Sequence, residues 1–334
     1  MPRVIAVDPR APAATAIAEA VRVLRAGGLV GLPTETVYGL GARARDDRAV
    51  ARIFQAKGRP VHHPLIAHVS DAAQASQLAA RWSERAAMLA RAFWPGPLTL
   101  VVERAPDWPA TMSGGGSSIA LRAPSHPVAN AVITALGEPV AAPSANRFQG
   151  LSPTTAAHVV RELGDVVDLI LDAGACEAGI ESTVVDLRGA VAHVLRPGAV
   201  GIADLRALLP DIDARGEDAA GAEDRASPGM DARHYAPRAR LLVADSFDTA
   251  LVLAGQLASE RKRVGVVVRV PGAVSSGRLL RCLPDDPAGY GRMLYAALHA
   301  IDEAGADAVV VQGVPGDEAW SAIADRLRRA SQPK

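Results

Sequence analysis

Between residues 14 and 26, apolar side chains fall at Ile17, Val21 and Leu24, a spacing that puts them on one face of a helix ending at Gly27-Gly28. Leu29 to Pro33 is a short apolar run and predicts a buried strand that delivers Thr34-Glu35-Thr36 to its end. Arg48 to Ala56 repeats the helical spacing with Val50, Ile53 and Phe54, and Leu65 to Val69 predicts the next strand. Two helices, over about 71–80 and 83–92, lead to Trp94-Pro95-Gly96-Pro97, a rigid turn before a strand at Leu98 to Val102. A strand at Ile119 to Arg122, a helix over about 127–136 and a strand at Val140 to Ala142 follow. Ser152-Pro153-Thr154 has the capping hydroxyl and early proline of a helix start. Short apolar runs over about 167–171, 182–187 and 191–195 are closely spaced and predict antiparallel neighbours rather than a βαβ unit.

The periodicity stops at Pro210 and does not resume until after Ala239. Acidic residues (Asp211, Asp213, Glu217, Asp218, Glu223, Asp224) and recurrent Gly and Pro mark this stretch as a linker. Beyond it, apolar strands at Leu241 to Ala244, Val264 to Val268 and Ala308 to Val311 alternate with helices over about 247–260, 288–303 and 317–330. That alternation predicts a small parallel sheet faced by helices. The pattern is α/β (α+β): a larger N-terminal domain over 10–208, a linker over 209–239 and a smaller C-terminal Rossmann-like parallel α/β domain over 240–332.

With 36 basic and 36 acidic residues, the whole chain has no excess charge with which to attract a polyanion. The first twenty residues hold Asp8, Arg10 and Glu19 where an export signal needs an apolar run, so a cytoplasmic location is expected. No stretch is apolar for the ~18 residues that a membrane span needs. Cys176 and Cys282 lie far apart with no partner at zinc-ligand spacing, which argues against a disulfide scaffold or a structural metal.

Polar residues recur after the apolar runs of the first domain: Thr36, His68, Arg122, Ser144, Ser182 and Arg196. Strand ends that converge build ligand sites in open sheets, so one shared pocket is the expectation. Neither a Walker loop nor a G-x-G-x-x-G is present, and the glycine-rich run Gly114 to Ser118 precedes a strand instead of a helix. Any phosphate must therefore be held largely by side chains. Lys57, one of three lysines in an arginine-rich chain, stands in Lys57-Gly58-Arg59-Pro60, and with Arg59 and Arg196 it is a natural candidate cation. Lys57 and Arg59 also sit where a positive charge would complement a helix dipole. His62, His63 and His68 have no carboxylate at zinc-site spacing, and Ser144 and Ser182 lack the glycines of a nucleophile elbow.

Six blocks, in order, resemble the YrdC-type threonylcarbamoyl-AMP synthases. They are Pro33-Thr34-Glu35-Thr36-Val37-Tyr38-Gly39-Leu40, Lys57-Gly58-Arg59-Pro60 with His63-Pro64-Leu65 and His68, Trp94-Pro95-Gly96-Pro97-Leu98-Thr99, Ala142-Pro143-Ser144-Ala145-Asn146, Glu181-Ser182-Thr183-Val184-Val185-Asp186 and Leu195-Arg196-Pro197-Gly198. Ser227-Pro228-Gly229-Met230 and Arg233-His234-Tyr235-Ala236-Pro237 resemble the linker of the longer, two-domain members, and Ala319 to Ala330 their last helix, with Asp325 where an Asn is common. The resemblance implies a twisted mixed-sheet YrdC-like domain. It also implies that L-threonine, bicarbonate and ATP give L-threonylcarbamoyl-adenylate and pyrophosphate, with Mg²⁺ carried on ATP and no metal site of the protein's own.

On the same resemblance Thr36, His68, Arg122, Ala142 and Ser182 are expected to meet threonine, and Arg59, His63, Ser118, Ser144, Ser152, Arg196 and Tyr235 the nucleotide, with Lys57 and Asn146 beside them. Lys57, Arg59 and Arg196 would offset the charge that moves onto pyrophosphate, Lys57 by contacting a phosphate oxygen. Tyr235 would bring the linker over the nucleotide. The downstream partner implied is a tRNA threonylcarbamoyl-transferase complex, and direct tRNA binding is left open. The alternative is an RNA-binding module with a basic concave surface, whose binding would be salt-sensitive and independent of ATP. A carbamoyl-transfer protein of hydrogenase maturation would need cysteine-rich zinc elements, which two lone cysteines exclude.

Overall fold

The computed structural model describes residues 2–214, 231–269 and 279–333. They form two units: Gln149–Ser152, Ala178–Ile180 and residues 231–333 make up the second, and the other described residues the first. Ser227-Pro228-Gly229-Met230 lies outside the described residues.

In the first unit the chain runs β1 (Arg3–Ala6), α1 (Ala14–Arg25), β2 (Val30–Leu32), β3 (Gly39–Arg43), α2 (Asp47–Lys57), β4 (Ile66–His68), α3 (Ala72–Ser76), α4 (Glu84–Phe93), β5 (Leu98–Glu103), β6 (Ser118–Arg122), α5 (Pro127–Leu136), β7 (Val140–Ala141), α6 (Ala156–Leu163), β8 (Leu169–Asp172), β9 (Thr183–Asp186), β10 (His193–Arg196) and α7 (Ile202–Leu208). The ten strands make one mixed sheet in the order β1-β8-β2-β3-β7-β4-β6-β5-β9-β10. Helix α2 shows how sequence places chemistry. The Asp46 carboxylate accepts from the N–H groups of Arg48 and Ala49 at its start, and Gly58, at φ 63°, ends it in a left-handed conformation that a Cβ resists. Val50, Phe54 and Lys57 lie on one helical face, and all three are buried. The lysine is thus carried inward by the stripe that packs the helix on the core.

Gly39 to Arg43 is a further strand, paired closely with β2: a Cβ on Gly41 would lie 2.8 Å from Leu32 Cδ1. Two expectations are corrected. Ser152 does not cap α6: Thr155 does, its hydroxyl accepting from His158 N–H. Only the last two of the closely spaced strands are antiparallel neighbours, since β8 runs parallel to β1 and β2.

The second unit contains β11 (Arg240–Ala244), α8 (Phe247–Ser259), β12 (Val264–Val268), β13 (Leu280–Cys282), α9 (Pro287–Glu303), β14 (Ala308–Gln312) and α10 (Ser321–Ala330). Its four strands are all parallel, in the order β11-β14-β12-β13, as the alternation predicts. The three-residue β13 is too short to leave a periodic signal. Among the described residues no helix is long and apolar enough to cross a membrane.

Candidate active site

Strand register divides the expected site residues of the first unit into two groups. His68 pairs with Arg122 at the ends of the parallel strands β4 and β6. β5 is antiparallel to β6 and parallel to β9, so Ser182, just before β9, lies toward that same edge, as does Arg196 at the end of antiparallel β10. β7 runs antiparallel to β4, so Ser144 emerges at the opposite edge, with Ser118 at the start of β6. Ser118 and Arg122 are ends of one five-residue strand, about 13 Å apart at ~3.3 Å per residue. Ala142 lies between the edges, its N–H donating to Ile66 O at 3.1 Å. The expected site residues thus leave the sheet as two poles at opposite strand edges, and Thr36, which precedes Gly39 beside Ser144, reaches Arg122 and so links them.

At the first pole a chain of hydrogen bonds fixes Arg122 and Thr36. Arg122 Nη1 donates to Thr36 Oγ1 at 2.9 Å and Nε to Gly96 O at 3.3 Å. Thr34 Oγ1 donates to Val37 O at 2.6 Å, so in the 2.9 Å contact between the two hydroxyls Thr36 is the donor. Arg122 Nη2 lies 2.7 Å from Glu35 Oε1. Burial opposes the charge on Glu35, yet Arg122 outweighs it and holds the carboxyl below its ordinary range. Burial, then the charge of Arg122, pulls His68 down to about 3, so its imidazole is neutral at physiological pH; its Nδ1 has no hydrogen-bond partner. Nearby, Arg196 grips Ser182: Nη2 donates to its backbone O at 2.9 Å and to Oγ at 3.2 Å, and Nε to the same O at 3.2 Å. Thr99 Oγ1 lies 2.8 Å from Ser182 Oγ. The Cys176 thiol, pushed up to about 12 by burial, is a poor nucleophile at neutral pH.

At the second pole Lys57 is buried, and Nζ donates to the backbone oxygens of Ser144 at 2.5 Å and Asn146 at 2.6 Å, with Asn146 Oδ1 at 3.4 Å. These are loop carbonyls. The lysine does not cap its own helix: it ties α2 to the loop after β7. Phe148 N–H donates to Lys57 O, and Arg147 Nη1 to Ala56 O, so two further hydrogen bonds secure the same junction. Burial, then the charge of Arg59, holds the Lys57 pKa well below its ordinary value. Arg59 Nη2 donates to Pro64 O at 3.1 Å, and its guanidinium lies 5.8 Å from the Phe148 ring, against which His63 packs edge-on.

Ser152 and Tyr235 belong to the second unit. Ser152 O lies 3.1 Å from His299 Nε2, and the buried Tyr235 has Arg326 Cζ 4.9 Å from its ring. Arg196, grouped with Lys57 and Arg59 as a cation for the nucleotide, holds Ser182. Sequence reasoning passed over Glu35, Thr99 and Gly198 as site residues. A Cβ on Gly198 would lie 2.4 Å from Ser182 C, so the turn after Arg196 packs directly on that backbone. Glu35 was legible: a carboxylate between two threonines, immediately after a buried strand, demands a cation. Among the described residues there is no cluster of three or more His, Cys, Asp or Glu able to hold a metal ion.

A family model described as "Telomere recombination", covering the Sua5, YciO and YrdC proteins, matches residues 22–198, and one described as "Threonylcarbamoyl-AMP synthase, C-terminal domain" matches residues 200–332. The chain belongs to the threonylcarbamoyl-AMP synthase family. The threonylcarbamoyl-AMP synthase of Pyrococcus abyssi is 38% identical over 314 residues, 92% of each chain, and that of Bacillus subtilis 36% identical over 324 residues, 94% of this chain and 92% of the other. The crystal structure of P. abyssi Sua5 complexed with L-threonine matches with a TM-score of 0.92 at 36% identity, covering 98% of this chain and 97% of that one. This is the two-domain form of the family.

Proposed function

We propose that this threonylcarbamoyl-AMP synthase family member converts L-threonine, bicarbonate and ATP to L-threonylcarbamoyl-adenylate and pyrophosphate, the activated intermediate for threonylcarbamoyladenosine in tRNA. The observation that carries this reading is the buried Arg122, fixed by Thr36 and Glu35 with an N–H on each terminal nitrogen left for a carboxylate. Ser118, assigned to the nucleotide, and Arg122, assigned to the amino acid, are the ends of one strand about 13 Å long, a span suited to a small amino acid joined to a nucleotide phosphate.

The threonine amine takes up the bicarbonate carbon with loss of water, and an oxygen of the carbamate attacks the α-phosphorus in line with departing pyrophosphate. Arg122 holds the substrate carboxylate with the N–H that each of its terminal nitrogens retains beyond Thr36 and Glu35. His68 serves as a neutral hydrogen-bonding group, since a pKa of about 3 makes it too weak a base for an ammonium. Ser182, oriented by Arg196 and Thr99, completes the amino-acid pole. Arg59, His63, Ser118, Ser144, Asn146, Ser152 and Tyr235 are assigned to ATP, with Lys57 acting through the loop it ties. Mg²⁺ enters with ATP as part of the substrate. The reading takes residues 10–208 as the catalytic domain, 209–239 as the linker and 240–332 as the C-terminal domain, in the cytoplasm, handing its product to a tRNA-modifying transferase complex.

The test is pyrophosphate release by the purified full chain. Release should require threonine and bicarbonate together, and release that ignores threonine would overturn the assignment.

A further inference from the structure

Among the described residues three non-glycines have a positive φ, Gln149 (65°), Tyr235 (58°) and Arg261 (62°), and all three belong to the second unit, the first two in loops that meet. A side chain resists this conformation, and it persists where surrounding contacts over-determine it. The two strained loops are hydrogen-bonded to each other, Ala236 N–H donating to Gln149 O at 3.0 Å.

The contacts around this segment come from α9, α10 and the residues that follow α10. Arg329 Nη1 donates to Asp231 O at 2.6 Å, Arg329 O accepts from His234 N–H at 3.4 Å, and Arg233 Nε donates to Gln332 O at 3.2 Å. The Arg326 guanidinium covers the Tyr235 ring, and Tyr295 of α9 lies 6.1 Å from it. Asp325 sits between the two arginines, 3.0 Å from Arg326 Nη1 and 3.0 Å from Arg329 Nε. Arg326 and Arg329 are 1% and 2% exposed, although arginines in the last turns of an amphipathic helix ordinarily face water. None of these three charged groups has a part in the proposed chemistry. Meanwhile His299 of α9 holds Ser152 O, at the end of the other strained loop.

We propose that Arg326 and Arg329, locked by Asp325, are positioning residues: they set the backbone of the 231–236 segment, which holds Gln149–Ser152, and so present Tyr235 and Ser152 for ATP. The role assigned to the C-terminal unit is thus to shape two loops rather than to bind a ligand of its own. This rests on the reading of Tyr235 and Ser152 as nucleotide contacts.

The test uses the full chain with Arg326→Met and Arg329→Met, which keep most of each side-chain stem. Amide hydrogen exchange at His234, Tyr235 and Ala236 should accelerate in both variants. The KM for ATP should rise about 10–100-fold, the scale of a small misplacement, while the KM for threonine stays within about twofold. Unchanged exchange overturns the clamp, and faster exchange with an unmoved ATP KM overturns its link to ATP. A parallel rise of both KM values with a lowered melting temperature reduces the cluster to a structural role and also overturns the proposal. If the wild-type chain releases no threonine-dependent pyrophosphate, the assigned function fails, and the exchange measurement alone still decides the clamp.

Discussion

Arg122 and Glu35 form an ion pair with Nη2 2.7 Å from Oε1 and side chains only 4% and 8% exposed. Removing one member of such a pair leaves the other as an uncompensated buried charge, at a cost of about 3–5 kcal/mol. Glu35→Ala should therefore lower the unfolding free energy by about that amount, read by urea denaturation. Its threonine KM should rise about tenfold or more as the Arg122 fork loses its fixed position, with the ATP KM little changed. Glu35→Gln, which keeps an oxygen acceptor, should fall between. A threonine KM untouched in Glu35→Ala would show that the pair only stabilises the fold.

The same pole makes stability depend on pH. His68 titrates at about 3 in the folded chain against an ordinary 6.5, so the unfolded chain binds a proton that the folded chain refuses. The stability this confers is complete above pH 6.5 and erodes as pH falls toward 3, at up to ~1.4 kcal/mol per pH unit. Glu35, depressed below its ordinary 4.5, adds a second loss only below that pH. Urea titrations from pH 7 to 4 should give a slope in the wild type that flattens in His68→Gln. Equal slopes would remove His68 as the cause.

Lys57 should tolerate no other cation. Its ammonium donates to two converging carbonyls and an amide oxygen, whereas the guanidinium of arginine is a rigid planar fork. Lys57→Arg and Lys57→Met should both reduce threonine-dependent pyrophosphate release about 100-fold through displacement of Ser144 and Asn146. Full activity in Lys57→Arg would mean that positive charge alone is needed there.

Gly198→Ala offers a steric test of the Ser182 pole. The added carbon would lie 2.4 Å from Ser182 C and 2.5 Å from both Glu181 O and Thr183 N, so that backbone must shift. Threonine KM should rise more than ATP KM. A neutral Gly198→Ala would show that the turn moves freely and that Ser182 is not held by it.

Much of the architecture was legible because α1, α2, α5 and the parallel C-terminal sheet write their burial as clean periodicities. What escaped was set by pairing rather than composition. β3, with two glycines in five residues, leaves no apolar run of its own and is defined by pairing with β2, and β8 joins β1 and β2 across more than a hundred residues of chain. At the candidate site, the identity of the polar residues was visible, but their division into two poles depends on strand direction, which no local motif encodes. Lys57 illustrates the limit: helical spacing gives its inward direction, whereas its partners come from a loop almost ninety residues away.

The second unit is discontinuous in sequence, and it owns Gln149–Ser152 and Ala178–Ile180 as well as everything from residue 231 onward. No single cut in the gene can therefore separate the two units cleanly. A chain stopped near residue 210 would still carry the strained loop at Gln149 but would have discarded Ala236 and His299, which hold that loop by its backbone oxygens. A shorter protein built on the first unit alone would have to evolve a different brace at that loop, or relax it with glycine. Grafting the C-terminal unit onto such a protein would fail unless both inserted segments travelled with it.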